Sequence, residues 1–253
     1  MKPLTLSFAT TFLMIVSGTA APAMRADSAA GHVLWDAWYT VTVKSGKTVL
    51  HYGYYNDHVE RKKNQIWFKT DYCKHEEDFF NQEHLMSIVS DDDNLSGVLF
   101  DFRANYRGQE MSSHGDFESP TLMSIKVGLP GHPPRSLKRS TPKSAFLSAL
   151  FPYWISKRLA QFKIGQTHSY SCVLEDGSDP DFDSKSGQLR LEKPDAFALK
   201  TKTSKLSVEF RDVPSIWYVD THGVAERIEL PGMNTVIEKT TQAAALKFIP
   251  QCN

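Results

Sequence analysis

Apolar and polar residues alternate along successive segments of the first half of the chain. In Trp35–Val43, the side chains of Tyr39, Val41 and Val43 fall on one face, with threonines between them. A period of two with aromatic and β-branched residues predicts a β-strand that is buried on one face. A turn at Gly46 then returns the chain into a second strand, because glycine adopts the positive φ that tight hairpins require. The sequence therefore opens with an antiparallel hairpin.

The same pattern recurs on both sides of a different central segment. The strands predicted before it are Trp35–Val43, Val49–Tyr55, Gln65–Cys73, Glu83–Ser90, Val98–Tyr106, Glu110–Glu118 and Thr121–Val127. The strands predicted after it are His168–Leu174, Gln188–Lys193, Ala196–Lys202, Lys205–Phe210, Ile216–Asp220, Val224–Leu230 and Thr235–Lys239. Gly53, inside the second strand, indicates a bulge or a close approach of two backbones. A short helix over Thr241–Leu246 is predicted to close the chain.

The central segment has a different composition. Residues 129–142 are rich in proline, glycine and basic residues, which is typical of a linker. Apolar residues then recur at helical spacing over Ala145–Phe162, preceded by Thr141 and Pro142 as a start signal. Pro152 lies inside this stripe, so we expect a kink or two shorter helices.

These patterns predict a mainly β protein. We expect an antiparallel curved sheet or incomplete barrel, made of two β-meanders joined by a helical segment. The predicted boundaries are 24–128 for the first meander, 129–164 for the linker and amphipathic helix, and 165–253 for the second meander. A chain of this length can bury one core, so the two meanders are expected to form one globular unit.

Residues 1–23 have the order of features found in a secretory signal peptide. Lys2 is followed by an uncharged run, Leu4–Val16, and then by small residues that end in Ala21-Pro22-Ala23. The run is shorter than the roughly 20 apolar residues of a membrane-spanning helix. We therefore expect cleavage after Ala23, or after Ala20 as a second choice, and a periplasmic or secreted protein.

The charge balance bears on the partners of the protein. The whole chain has 29 basic and 29 acidic residues, and loss of the predicted signal peptide removes only Lys2. Nucleic-acid binding requires a basic footprint, so we expect no nucleic-acid partner. No later segment is apolar enough to span a bilayer, so we expect no membrane-spanning segment after cleavage.

Three cysteines follow the predicted cleavage site: Cys73, Cys172 and Cys252. An oxidising compartment permits one disulfide and leaves one odd thiol. A bridge between Cys172 and Cys252 would fix the C-terminus and is the preferred pairing. The alternative is that all three are unpaired, mostly buried thiols.

Motifs of chemical function are weak. The acidic loop Asp176–Asp183 begins like a calcium loop but has neither the glycine nor the terminal glutamate that such loops need. Cys73, His75 and His84 form the densest group of metal-ligand types, without a known zinc spacing. No nucleophile or phosphate-loop motif is present. We therefore predict no catalytic residue, metal or cofactor, and favour a protein that is not an enzyme.

Aromatic residues are concentrated in the strands of the first half. They suggest either a filled core or a concave sheet lined with rings that holds an apolar ligand. The candidate ligand-binding residues are Trp38, Tyr39, Tyr52, Tyr54, Trp67, Phe100 and Phe102.

Several segments resemble exported bacterial proteins of the DUF3108-like, transglutaminase-associated group. Trp38–Val41, a glycine turn and Tyr52–Tyr55 are similar to the opening hairpin of that group. Gln161–Tyr170 is similar to the start of its second half, and Trp217–Leu230 with Val236–Leu246 to its ending. The resemblance implies a cell-envelope protein with a curved sheet, in the style of lipid- and lipoprotein-carrying folds, and it implies no catalytic residues.

The sequence thus favours a non-enzymatic binding or scaffold protein of the cell envelope. Its expected partner is a hydrophobic small molecule, a lipid or an envelope protein. One alternative is an interaction module that pairs through a sheet edge with an envelope protein. The other is a metal-dependent hydrolase built on Cys73, His75 and His84.

Overall fold

The computed structural model of the chain describes residues 31–76, 79–177, 179 and 181–248. The predicted signal peptide, residues 1–23, lies outside the described residues, as does Cys252.

The first meander contains eight strands joined by short turns. They are β1 His32–Ser45, β2 Thr48–Lys62, β3 Gln65–Glu76, β4 Phe79–Ser90, β5 Gly97–Tyr106, β6 Gln109–Ser119, β7 Leu122–Gly128 and β8 Arg135–Ser140. Each strand pairs antiparallel with the next one in sequence. Strand β8 lies inside the segment predicted as a linker, so the meander continues past the predicted boundary at residue 128. Residues 129–134 lie between β7 and β8, and the prolines at 133 and 134 cannot donate ladder hydrogen bonds.

The central segment is a series of short pieces. They are β9 Phe146–Leu147, a 3-10 turn Ser148–Leu150, helix α1 Phe151–Ser156 and a 3-10 turn Leu159–Gln161. Pro152 lies in the first turn of α1, where its missing N–H has no helical partner to lose. The expected interruption of the helical stripe is present, and the helix begins beside the proline.

The second meander resumes after this segment. Its elements are β10 Thr167–Val173, β11 Lys185–Leu191, α2 Ala196–Thr201, β12 Ser204–Phe210, β13 Val213–Val219, β14 Ala225–Leu230, a 3-10 turn Pro231–Met233, β15 Thr235–Thr240 and α3 Gln242–Phe248. The predicted short C-terminal helix is present as α3.

The predicted strand Ala196–Lys202 is wrong, because this segment is helix α2. The side chain of Asp195 accepts a hydrogen bond from the backbone N–H of Ala198 at 3.0 Å, which caps the helix. Lys202 ends it in the left-handed conformation, with φ of 57°. This local capping overrides the strand pattern, and the chain then reverses into β12.

The described strands form one open sheet of 15 strands. Its order is β8-β7-β6-β5-β4-β3-β2-β1-β15-β14-β13-β12-β11-β10-β9. Only the short pair β9–β10 is parallel. The first and last strands pair at the centre, with Tyr39 opposite Lys239 and Val43 opposite Thr235. The predicted fold class, a mainly β protein with two meanders joined by a helical segment, is confirmed.

The core lies between the sheet and the segments that connect the two meanders. Phe146, Leu150 and Ile155 are almost fully buried against the sheet. The loop after β10 reaches the first meander, where Phe182 packs with its ring centroid 6.1 Å from that of Phe100. The connecting segments also pack on the second meander, where the ring centroid of Phe146 lies 6.2 Å from that of Tyr170.

The predicted Cys172–Cys252 disulfide is wrong. Cys172 is a free, buried thiol in β10, whereas Cys73 in β3 is disulfide-bonded. Cys172 faces the core, and helix α3 packs on the other face of the sheet, where Ala245 contacts Tyr54 and Cys73. The helix that precedes Cys252 thus lies beside Cys73 and away from Cys172.

With Cys172 free, Cys252 is the remaining cysteine in the sequence that can pair with Cys73 within one chain. We expect non-reducing peptide mapping to yield one cross-linked peptide pair containing Cys73 and Cys252. Loss of the bridge in Cys73→Ser should lower the free energy of unfolding by about 2–4 kcal/mol, since the bridge constrains the unfolded chain. Cys172→Ala is the control and should keep the cross-link. A cross-linked peptide containing Cys172 would contradict this assignment.

Candidate functional site

A cavity of about 660 Å³ opens on the concave face of the sheet, lined mostly by the second meander and the central segment and also by Asp57 and Phe68 of the first meander. We call it the main cavity. The 3-10 turn and α1 form one wall, and strands β10, β12 and β13 form the other. Its lining residues are Asp57, Phe68, Ser148, Ala149, Phe151, Pro152, Tyr170, Cys172, Leu174, Asp176, Val208, Phe210, Arg211, Val213, Ser215, Trp217 and Leu230.

Aromatic rings give the main cavity a rigid apolar wall. The ring centroid of Phe151 lies 4.7 Å from that of Tyr170 and 5.2 Å from that of Trp217. Tyr170 also stacks on Phe210 at 6.1 Å. Gly187 lies directly under the ring of Tyr170, and a Cβ at this position would collide with it. A larger residue at 187 would therefore push this wall into the cavity.

A second cavity, of about 550 Å³, adjoins the first. We call it the side cavity. It lies over β15, β1, β2 and β3, and shares Asp57 and Leu230 with the main cavity. Its lining residues are Val41, Tyr52, Tyr55, Asp57, Thr70, Tyr72, Lys74, Leu230, Met233, Thr235 and Ile237.

A β-bulge shapes the side cavity. Val41 pairs with Gly53 and Thr42 pairs with His51, so Tyr52 is an extra residue in β2. The bulge lets Tyr52 line the same cavity as Tyr55, although an unbroken strand would place them on opposite faces. A Cβ on Gly53 would collide with the backbone carbonyl of Cys73. Gly53 is predicted to mark a bulge or a close backbone approach, and the structure has a bulge beside it and a close approach at it.

Asp57 is the buried acidic group at the junction of the two cavities. Its side chain accepts a hydrogen bond from Thr70, which lowers its pKa, but burial has the larger effect and raises the pKa to about 7. The charge of Asp57 in turn contributes to the raised pKa values of Tyr39 and Tyr55. The junction therefore holds a carboxyl group that titrates near neutral pH.

A second buried carboxyl group, Glu175, supports the wall of the main cavity. It accepts hydrogen bonds from the hydroxyl of Ser87 at 3.0 Å, the N–H of Ser148 at 3.0 Å and the N–H of Ala149 at 3.3 Å. Burial raises its pKa to about 7, against these hydrogen bonds. Ser113 in β6 donates to the carbonyl of Glu175. Glu175 thus ties the 3-10 turn to both β4 and β6.

The seven aromatic residues predicted to bind a ligand are divided between the two faces of the sheet. Tyr52 lines the side cavity. Tyr39 lies behind it, stacked on Tyr55 with ring centroids 4.4 Å apart. Phe100 and Phe102 are buried in the filled part of the first meander.

The remaining three lie on the convex face. Trp38 packs against Tyr54 with ring centroids 5.9 Å apart, where α3 covers both. The ring of Trp67 lies 4.2 Å below the Nζ atom of Lys62, outside the core. Strand alternation explains this division, because neighbours in a strand face opposite ways.

The sequence reasoning missed the aromatic wall of the second meander. Phe151, Tyr170, Phe210 and Trp217 lie in segments that were recognised correctly as helix or strand. Each also stands at a position consistent with the buried face of its element. The sequence pattern therefore marks these four residues as buried. The sequence of a single strand does not indicate whether its buried face lines a cavity or a filled part of the core.

The residues proposed as metal ligands do not converge. Cys73 is disulfide-bonded, His75 stacks on Phe80 at 4.6 Å, and His84 Nδ1 lies 2.6 Å from Asp71 Oδ1. The β3–β4 register places His75 and His84 at separate pairs along the ladder. Within the described part of the chain, no group of three or more His, Cys, Asp or Glu residues is placed to hold a metal ion.

No helix within the described ranges has the length and apolar character needed to cross a membrane.

Edge strand β8 carries three basic residues, Arg135, Lys138 and Arg139. Lys138 pairs with Glu118, and Arg139 pairs with Asp181. Charged side chains on an edge strand oppose pairing with another strand, so this edge does not favour the interaction-module alternative.

No protein-family model matches the chain, and no curated protein matches it. The chain is structurally similar to a crystal structure of a DUF1089 family protein from Pseudomonas aeruginosa, with 13% identity and a TM-score of 0.38. The alignment covers 71% of this chain and 90% of that chain. A likeness of this size carries no argument about function.

The raised pKa of Asp57 predicts a cost in the free energy of folding that depends on pH. Below about pH 3 the side chain is protonated in both the folded and the unfolded protein, and the cost is absent. As the pH rises towards 7 the unfolded chain ionises first, so the folded state loses stability. Asp57→Asn should remove this loss and be more stable than the wild type above pH 7, by at most roughly 4 kcal/mol.

Urea unfolding between pH 4 and 8 measures this difference. Glu175 titrates in both proteins, so its contribution cancels. Asp212→Asn is the matched control, because Asp212 is exposed and has φ of 61°, which asparagine tolerates. A difference between Asp57→Asn and wild type that does not change with pH would refute the assignment.

Proposed function

We propose that the protein is a non-enzymatic binding protein that holds an apolar or extended small molecule on the concave face of its sheet. The observation that carries the proposal is the main cavity, with its aromatic wall and its volume of about 660 Å³. Binding sites for small molecules are typically clefts of about 300–1,000 Å³ with mostly apolar walls and a few polar groups. The side cavity adjoins the main cavity at Asp57 and Leu230, which supports a ligand that extends from one cavity into the other.

The chemistry of the lining supports binding over catalysis. Cys172 lies in the wall of the main cavity together with Ser148 and Ser215, and burial raises the pKa of its thiol to about 12. A thiol with such a pKa remains protonated and is a poor nucleophile. The two buried carboxyl groups lie in different settings: Asp57 faces the cavity junction, whereas Glu175 is occupied by hydrogen bonds that hold the wall.

The location is part of the same proposal. The charged start, apolar run and small-residue exit of residues 1–23 support export to the periplasm or the extracellular medium. The resemblance of the opening and closing strands to DUF3108-like envelope proteins supports the same location. A carrier or scaffold in that compartment would hold a lipid or another hydrophobic molecule away from water.

The binding proposal predicts uptake of a neutral hydrophobic dye. N-phenyl-1-naphthylamine should bind to the purified protein with increased fluorescence, because the aromatic wall removes the dye from water. Val213→Trp should weaken binding by about tenfold or more, since a larger ring at the partly exposed mouth of the main cavity fills the space that the dye needs.

Val49→Trp is the matched control. Val49 is an exposed valine in a strand, with 52% relative exposure against 43% for Val213, and it does not line either cavity. The control should bind the dye like the wild type. Absence of dye binding by the wild type, or equal loss in both variants, would contradict the proposed function.

A further inference from the structure

Asp57 has less hydrogen bonding than a buried carboxylate usually has. Its relative exposure is 9%, and it accepts a hydrogen bond from Thr70. A carboxylate offers about four acceptor positions. Among the described residues, no ion pair includes Asp57. Buried charges without a partner are costly and are commonly paired or neutralised.

Aromatic rings surround the same position. Tyr52, Tyr55 and Tyr72 line the side cavity together with Asp57. Tyr55 stacks on Tyr39 and meets Tyr72 edge to face, with ring centroids 6.4 Å apart. The faces of aromatic rings attract cations, and groups of such rings are the usual site for quaternary ammonium ions. A carboxylate and several rings at one site complement a positively charged organic group.

Apolar space continues from this site in one direction. Asp57 also lines the main cavity, where Phe68, Phe151, Tyr170 and Trp217 contribute apolar surface. A ligand with its charged group at Asp57 therefore has room for an apolar tail between α1 and the strands of the second meander.

We propose that the ligand of the joined cavities is an amphipathic organic cation. Its ammonium group pairs with the carboxylate of Asp57 among the rings of Tyr52, Tyr55 and Tyr72, and its apolar tail occupies the main cavity. This inference rests on the proposed function, because it requires that the cavities bind a small molecule. It adds the chemical class of that molecule and the residue that selects it.

The other polar groups near the junction are compatible with this arrangement. On β3, Lys74 also lines the side cavity, but its Nζ lies 5.8 Å from the ring centroid of Tyr106 and its charge lowers the pKa of Glu83. Tyr39 faces Asp57 from β1, and Tyr55 lies on β2 itself. Strand β14 contributes Leu230, which carries no charge. Across the main cavity, Asp176 and Arg211 supply one charge of each sign.

The experiment displaces N-phenyl-1-naphthylamine from the protein with probes that share a ten-carbon tail. Decyltrimethylammonium, 1-decanol and decyl sulfate differ in head-group charge and are used below their micellar concentrations. At pH 7.5 the cation should displace the dye at a concentration at least about tenfold lower than decyl sulfate, because only the cation pairs with Asp57. Asp57→Asn should remove this preference, measured as the ratio of the displacing concentrations of the cation and decyl sulfate for the same variant.

Asp176→Asn is the matched control, since Asp176 lines the main cavity without lining the side cavity. It should keep the preference for the cation. A pH titration of the wild type gives a second measurement that needs no variant. Protonation of Asp57 should weaken binding of the cation on the order of tenfold between pH 7.5 and 6, while binding of the neutral dye stays constant. No histidine is among the lining residues of either cavity.

The outcomes separate the two proposals. If the dye binds but decyl sulfate or decanol competes as well as the cation, the inference about the ligand class is wrong and the binding function stands. The same conclusion follows if the pH dependence persists in Asp57→Asn, because Glu175 would then be its source. If neither the dye nor any ten-carbon probe binds, both proposals fail.

Discussion

Strand β1 pairs with β15 along the line where the two meanders meet. Six residue pairs, from Trp38 opposite Thr240 to Val43 opposite Thr235, turn two separate sheets into one sheet of 15 strands. Neither meander alone would present the same concave surface. The side cavity lies over this joint, with Val41 on β1 and Ile237 on β15 in its lining. The geometry of the candidate site therefore follows from a contact between the two ends of the described chain.

The connecting segments determine which part of the concave face is filled. The loop with Phe182 packs on Phe100 of the first meander, and Glu175 ties the turn at Ser148–Leu150 to β4 through hydrogen bonds from Ser87 and Ser148. The same segments also pack on the second meander, where the ring centroid of Phe151 lies 5.2 Å from that of Trp217. The main cavity is lined by these rings together with Phe210. The cavity walls therefore depend on how the central segment seats against both meanders.

Much of the fold could be predicted from local sequence patterns. Alternation identified most strands, and Gly53 indicated the bulge because a glycine inside a strand marks a close backbone approach. The errors have local or long-range causes. At Ala196–Lys202, the cap from Asp195 favours a helix over the strand pattern. The disulfide was misassigned because pairing depends on which face of the sheet α3 covers, and no residue near Cys172 or Cys252 encodes that.

The candidate site was less predictable than the fold. Tyr52 and Tyr39 lie at or behind the side cavity, whereas Trp38, Tyr54 and Trp67 face outward. The alternation with a period of two assigns the side chains of a strand to two faces, but it does not indicate which face is concave. Asp57 carries no sequence signal, since an aspartate between His58 and Asn56 reads as part of a polar stretch. Its role becomes visible only in the folded sheet, where Asp57 and Leu230 line both cavities.

The joint between β1 and β15 also constrains how the chain reaches its folded state. The paired residues are separated by nearly the whole described sequence, so loop closure must precede this contact. Until β15 is synthesised, β1 has an unpaired edge with Tyr39, Val41 and Val43 along it. Such an edge is a template for pairing between chains. A nascent or truncated chain that lacks its last strands therefore presents an edge that is prone to aggregation. Protection by a chaperone would be most needed before the final residues emerge.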